Sequence, residues 1–150
     1  MRRMTGYGLM VLIVGLALAA CMPPQTAGGG AGAGDAPATR AGTSWRLTEL
    51  NGQPVTGTEP LTLGFDATGP RASGNGGCNQ FNGPYTQNGA SLRFGPLVST
   101  RRACADPAGN AQETAYFQAL ESTTRSSQEG GELVLYRGNQ VVARFQSTGM

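Results

Sequence analysis

Residues 132–145 read Glu-Leu-Val-Leu-Tyr-Arg-Gly-Asn-Gln-Val-Val-Ala-Arg-Phe, two apolar runs separated by a short polar break. Both runs are rich in the β-branched and aromatic side chains that favour extended backbone. Gly138-Asn139 lies between the runs and is compatible with a two-residue turn. The stretch therefore predicts an antiparallel β-hairpin.

Further strands are predicted upstream by alternation of apolar and polar residues. The first such segment is 44–50, which Asn51-Gly52 ends, and the pattern recurs at 61–65 and 91–94. Residues 71–85 are crowded with glycine and asparagine, so their periodicity is weak. Glycines of this kind suit bulges or sharp bends where a strand closes a barrel.

A single helix is predicted over residues 111–124. Asn110 can cap it, and Glu113 completes a spacing that resembles a capping box. One face of this helix carries the apolar side chains Tyr116, Phe117 and Leu120. Many short strands with one late helix predict the α+β class: a small antiparallel β-barrel or curled sheet with one helix packed against it.

The N-terminal region has the pattern of an export signal. Arg2 and Arg3 precede an apolar stretch at 9–20, which is too short to span a bilayer and fits a signal peptide over residues 1–20. Leu-Ala-Ala-Cys at 18–21 resembles a bacterial lipobox, which predicts lipidation of Cys21 and a membrane contact through the lipid. The alternative is an ordinary secretory signal with Cys21 as a bystander.

Residues 21–42 are predicted to form the lipidated cysteine and a flexible tether, because glycine, alanine and proline dominate them. One domain at 43–148 follows. Met22, rather than aspartate, follows the cysteine, which in enteric-type lipoproteins implies sorting to the outer membrane, facing the periplasm. The oligomeric state is left open by the sequence.

Charge argues against nucleic acid as a partner. All 11 basic residues are arginine, and removal of Arg2 and Arg3 leaves nine against nine acidic residues. Nucleic-acid binding depends on neutralising many phosphates, and Arg101-Arg102 is the only basic pair left.

Cys78 and Cys104 are the two cysteines that remain once Cys21 is assigned to lipid. In an oxidising compartment they predict a disulfide. Closure of a loop of about 25 residues would stabilise the fold by roughly 3 kcal/mol. Two buried free thiols are the alternative.

Catalysis is not predicted. The chain has no histidine, which excludes Ser-His-Asp and Cys-His nucleophile pairs and removes the commonest metal ligand. Gly-Asn-Gly-Gly-Cys at 74–78 fails the phosphate-loop and dinucleotide patterns, so it indicates backbone geometry. No catalytic residue, metal or cofactor is therefore expected, and an enzyme using carboxylates alone is the least favoured hypothesis.

Several motifs together resemble the META domain of the HslJ-like proteins. They are Trp45-x-Leu47, Gly52, Phe65, Gly77-Cys78-Asn79-x-Phe81-x-Gly83-x-Tyr85 and Leu92-x-Phe94-x-x-Leu97-x-Ser99-Thr100-Arg101-x-Ala103-Cys104. The resemblance implies a β-rich domain with a helix, found in envelope proteins and bacterial lipoproteins and linked with heat-shock response and novobiocin resistance. It implies no catalytic residues. Arg102 departs from the family pattern, which usually has methionine there.

Asn79 and Arg101 are the candidate binding residues. Arg101 could pair with a carboxylate on a partner, as part of an exposed recognition edge with Ser99-Thr100. Structural support of loops is the competing interpretation of both residues.

The sequence thus favours a noncatalytic, lipid-anchored envelope protein that contributes to envelope stress tolerance through binding an envelope protein or peptide. The alternative is a pilot-like accessory lipoprotein for envelope assembly or secretion, whose curled sheet accepts a hydrophobic peptide or lipid.

Overall fold

The structure is a computed structural model, and it describes residues 40–149. The signal peptide predicted for 1–20, the lipidation of Cys21 and most of the tether lie outside the described residues. No helix within 40–149 combines the length and apolar content needed to cross a bilayer. The elements, in chain order, are β1 (Ser44–Leu50), β2 (Gln53–Pro54), β3 (Thr62–Phe65), β4 (Arg71–Asn75), β5 (Gln80–Asn88), β6 (Ser91–Phe94), β7 (Val98–Ser99), α1 (Pro107–Glu121), β8 (Arg125–Glu129), β9 (Glu132–Arg137) and β10 (Gln140–Ser147).

Eight strands form a closed antiparallel β-barrel. The ring order is β1, β3, β4, β5, β6, β8, β9, β10, and β10 pairs back onto β1 from Trp45↔Ser147 to Leu50↔Ala143. The short strands β2 and β7 add to β1 and β5. Of the two predicted architectures the barrel is present and the open curled sheet is not. Because one helix accompanies ten strands, the domain is mostly β and fits the α+β class only loosely.

The C-terminal hairpin confirms the prediction made from residues 132–145. Arg137 pairs with Gln140, which leaves Gly138-Asn139 as the two-residue turn. By contrast, no strand was predicted at β8, because it reads Arg-Ser-Ser-Gln-Glu and only Ser126 in it is buried. Its place in the barrel comes from backbone pairing with β9 and β6, which a hydrophobic pattern does not reveal.

The barrel interior and one face of α1 share a single apolar core. Tyr116 and Leu120 are fully buried in it together with Trp45, Leu63 and Phe145. Tyr116 contacts Phe145 with ring centroids 6.2 Å apart. The expectation that the helix packs against the sheet is therefore confirmed.

The helix begins earlier than predicted. Asp106 is the N-cap and accepts a hydrogen bond from Gly109 N (2.6 Å), and Pro107 occupies the first turn, where proline is well tolerated. Asn110 consequently lies inside the helix rather than capping it, and the helix ends at Glu121 rather than at residue 124. Asp106-Pro107 was therefore a stronger signal for the start of the helix than Asn110.

The folded part also begins before the predicted boundary at residue 43. Gly42 N donates to Phe65 O (2.9 Å), and the Arg40 side chain is buried. Residues 40–42, predicted as the end of the tether, therefore belong to the barrel domain.

Tyr116 makes the stability of the core sensitive to alkaline pH. Its hydroxyl donates to Thr62 O (3.0 Å), and burial raises the pKa of Tyr116 well above its ordinary value. This contribution to stability is full below the pKa of an unfolded tyrosine, about 10, and is lost as the pH rises above it.

We expect Tyr116→Phe to lower the free energy of unfolding by about 1 kcal/mol at neutral pH and to flatten its alkaline decline. Urea unfolding at a series of pH values, followed by Trp45 fluorescence, measures both effects. Tyr136→Phe is the control, since Tyr136 is only partly buried. Identical alkaline profiles for Tyr116→Phe and the unsubstituted protein would contradict this account.

Candidate functional site

The glycine-rich turn between β4 and β5 brings the helix close to the barrel wall. Asn75 Oδ1 accepts from Gly77 N (2.8 Å), and Gly76 N donates to Asn79 O (2.7 Å). A Cβ on Gly76 would lie 2.7 Å from Phe117 Cζ and 2.9 Å from Glu113 Oε2. The segment 74–78 therefore acts through its backbone geometry, since only glycine permits this approach.

Glu113 connects α1 to this turn. It is 6 % exposed, and its Oε2 accepts hydrogen bonds from Cys78 N (3.0 Å) and Asn79 N (2.7 Å). Its Oε1 accepts from Asn79 Nδ2. The capping-box role predicted for Glu113 is thus wrong, because the N-cap is Asp106, seven residues before Glu113, and not Asn110.

A sequence signal for this role did exist. Glu113 lies three, four and seven residues before the apolar residues Tyr116, Phe117 and Leu120, which places a carboxylate on the buried face of the helix. An acidic residue on such a face needs hydrogen-bond partners, because burial of an unpaired polar group is costly.

Asn79 extends the same cluster to the segment after β7. Its Oδ1 accepts from Thr100 Oγ1 (2.9 Å) and Arg102 N (2.7 Å), while its Nδ2 donates to Arg102 O (3.0 Å) as well as to Glu113. The amide is buried, with 5 % exposure, and both ends are bonded internally. Asn79 therefore supports this loop through hydrogen bonds of its side-chain amide.

Cys78 and Cys104 form a disulfide with a Cα–Cα distance of 5.3 Å, so the alternative of two free thiols does not hold in this structure. The sulfur atoms and a Glu113 oxygen lie within 4.8 Å of one another, a spacing that could suit a metal ion. Each group is already engaged, however: the sulfurs in their mutual bond and the carboxylate with three N–H donors.

Arg101 and Arg102 are exposed on the loop that this cluster holds. Arg102 is exposed to solvent, so the cation that stands where the family usually has methionine is not buried. It borders a cleft of about 480 Å³ and an adjoining cleft of about 320 Å³, and both also include Glu59, Gly77 and Cys78. We use the term disulfide surface for the surface that contains these two clefts, together with the neighbouring residue Arg101.

The far wall of the larger cleft is also fixed by hydrogen bonds. Gln112 Nε2 donates to Thr56 O (2.9 Å), and Gln112 Oε1 accepts from Thr56 N (2.9 Å). Thr56 lies just after β2. The helix therefore bonds to both sides of the cleft, through Gln112 to Thr56 and through Glu113 to Cys78. Of the residues predicted from the sequence, Cys78 and Cys104 line the larger cleft and Arg101 directly precedes Arg102, whereas Asn79 is buried in the cluster that holds the loop.

Comparison with known proteins identifies relatives of this chain. The family model described as the META domain matches residues 38–149. No curated protein matches significantly. A solved NMR structure of a protein from Burkholderia xenovorans is similar, with 29 % identity and a TM-score of 0.61 over 74 % of this chain and 85 % of that one. A second NMR structure shows 25 % identity and a TM-score of 0.56 over 69 % and 87 % of the two chains.

Removal of the Glu113 carboxylate should destabilise the domain. We expect Glu113→Ala to lower the free energy of unfolding by about 3 kcal/mol, because it leaves three N–H donors without their acceptor. Glu113→Gln should also destabilise, since its NH₂ group would face a donor.

Chemical denaturation measures these changes, and Glu121→Ala is the matched control because Glu121 is an exposed carboxylate on the same helix. Equal stabilities for the Glu113 and Glu121 variants would show that the buried carboxylate does not hold the turn.

Proposed function

The chain belongs to the META domain family, and from that premise we propose that it is a noncatalytic, lipid-anchored module of the bacterial cell envelope that acts by binding. Its contribution is to envelope stress tolerance, of the kind seen in heat shock or novobiocin resistance. Its location is the outer membrane, facing the periplasm.

The observation that carries this proposal is the rigid presentation of two exposed cations. The backbone N–H and C=O of Arg102 are both bonded to Asn79, and Cys104 is fixed by the disulfide two residues later. A loop that is already ordered loses less conformational entropy when it binds. Guanidinium groups pair with carboxylates and phosphates in a bidentate manner. The disulfide surface therefore suits a partner that carries acidic groups.

A noncatalytic role is supported by the uses of the nearby carboxylates. Glu113 holds backbone N–H groups, and Asp106 caps the helix by accepting from Gly109 N. Neither carboxylate is left poised for proton transfer to a substrate in the cleft. Glu59 is exposed, where ordinary solvation is its expected role.

The envelope placement is supported by two features of the chain. Cys21 lies in a lipobox-like sequence, and the Cys78–Cys104 bond is of the kind that persists in oxidising compartments. The stress role is supported by the resemblance to the HslJ-like proteins.

The pilot-like alternative requires a binding surface other than an open curled sheet. The closed barrel presents no open sheet to a peptide, so a hydrophobic partner would have to bind outside it. Val98, in β7, is the large apolar side chain most open to solvent among residues 40–149, with 67 % exposure, and it is the observation that favours this role.

Substitution of the two cations tests the binding proposal. We expect Arg101→Ala with Arg102→Ala to leave the melting temperature within about 2 °C, because surface substitutions change stability little, while envelope stress survival falls toward that of a deletion strain. Survival is measured under heat and under novobiocin, with immunoblots for protein abundance.

Arg93→Ala is the matched control, since Arg93 is another exposed arginine on the outer face of β6. Normal survival of the double variant would refute the role of the disulfide surface. A large fall in melting temperature would assign the two arginines to scaffolding instead.

A further inference from the structure

Arg40 is a buried cation that has no counter-ion among residues 40–149. Its side chain is 4 % exposed, and its Nε and Nη1 atoms are buried with no hydrogen-bond partner. The two ion pairs found within residues 40–149 both belong to Arg144. A buried charge is normally paired, because its desolvation is otherwise uncompensated. Within the described part of the chain, the Nε and Nη1 atoms therefore lack the partners that their burial calls for.

The position of Arg40 is fixed by the barrel. Its carbonyl oxygen accepts from both the backbone N (3.0 Å) and the hydroxyl of Thr43. The Thr43 hydroxyl accepts in turn from Trp45 Nε1 (2.8 Å), and the Trp45 ring is buried in the core. The backbone of Arg40 is consequently fixed against the barrel.

Arg40 lines a pocket of about 510 Å³. Ala41, Pro70 and Tyr85 are its apolar lining residues, and Thr86 and Gln87 are polar ones. The Tyr85 ring is held by an edge-on contact with Phe65, with centroids 5.0 Å apart. Among residues 40–149, no acidic residue lines the pocket, and none of its lining residues also lines a cleft of the disulfide surface.

We propose that this pocket binds a small organic anion, whose carboxylate or phosphate pairs with Arg40 and whose apolar body lies against Ala41, Pro70 and Tyr85. The pocket is of the size that small ligands occupy, and one convergent charge within apolar walls is typical of such sites. Burial also lowers the pKa of Arg40, and a bound anion would offset that desolvation. The proposal is independent of the disulfide surface.

The same chemistry could come from a free metabolite or from a lipid headgroup, and the probes separate the two sources. The full chain, in nonionic detergent, is titrated by calorimetry with butyl phosphate, butyrate and inorganic phosphate. Dihexanoyl phosphatidylglycerol is the lipid probe, and dihexanoyl phosphatidylcholine is its control without net charge. Stronger binding of the phosphatidylglycerol assigns the site to headgroups, and stronger binding of the other anions assigns it to metabolites.

We expect one saturable site that Arg40→Gln weakens at least about tenfold, because a charge-assisted pair is lost. Arg46→Gln should bind as the unsubstituted protein does, since Arg46 is an exposed arginine on β1. If Arg40→Gln folds poorly, Arg40→Lys keeps the charge and loses the planar fork, and it should bind several-fold more weakly.

Absence of saturable binding to every anion, or equal binding by Arg40→Gln and the unsubstituted protein, would overturn the proposal. Asp35, five residues before Arg40, is the nearest acidic residue in the sequence. Asp35→Asn is therefore titrated in parallel. Binding that occurs only in this variant would indicate that the Asp35 carboxylate, and not an external ligand, pairs with Arg40 in the unsubstituted chain.

Discussion

The carboxylate of Glu113 and the amide of Asn79 form the contact on which the rest of the domain depends. One buried pair joins α1 to the β4–β5 turn and to the backbone of Arg102, which are far apart in sequence. The disulfide covalently links the β4–β5 turn to the segment between β7 and α1. The helix is thereby held at its polar N-terminal half by hydrogen bonds and at Tyr116 and Leu120 by the apolar core. Buried polar groups bonded in this way specify one arrangement, since any other leaves them unpaired.

The sequence predicted those parts of the fold in which side-chain burial follows the period of the backbone. The C-terminal hairpin and β1 have alternating apolar residues and clear turn signals, so their type followed from the residues alone. The strand β8 could not be found in this way, because its main contribution is backbone hydrogen bonding between neighbours. Closure of the barrel rests on the pairing of β1 with β10, and no local pattern encodes a contact between the two ends of a domain.

The sequence predicted most residues of the candidate site but not the role of each residue. Cys78, Cys104, Asn79 and Arg101 do gather in one region, but Asn79 faces inward and Glu113, read as a helix cap, is the group that organises it. Hydrogen-bond partners of a buried amide depend on tertiary structure, so residue type alone could not distinguish support from recognition. Arg40 shows the same limit, because its glycine- and alanine-rich sequence context predicts a tether, whereas its side chain is buried in the structure.

Amide hydrogen exchange at Cys78, Asn79 and Arg102 tests the central claim most directly, because each of these N–H groups donates to a side chain of the Glu113–Asn79 pair and not to a backbone carbonyl. If the pair holds the junction, the three amides exchange as slowly as those of the barrel strands and open with them as one unit. Exchange at the rate of exposed loops, while the strands stay protected, would contradict the account.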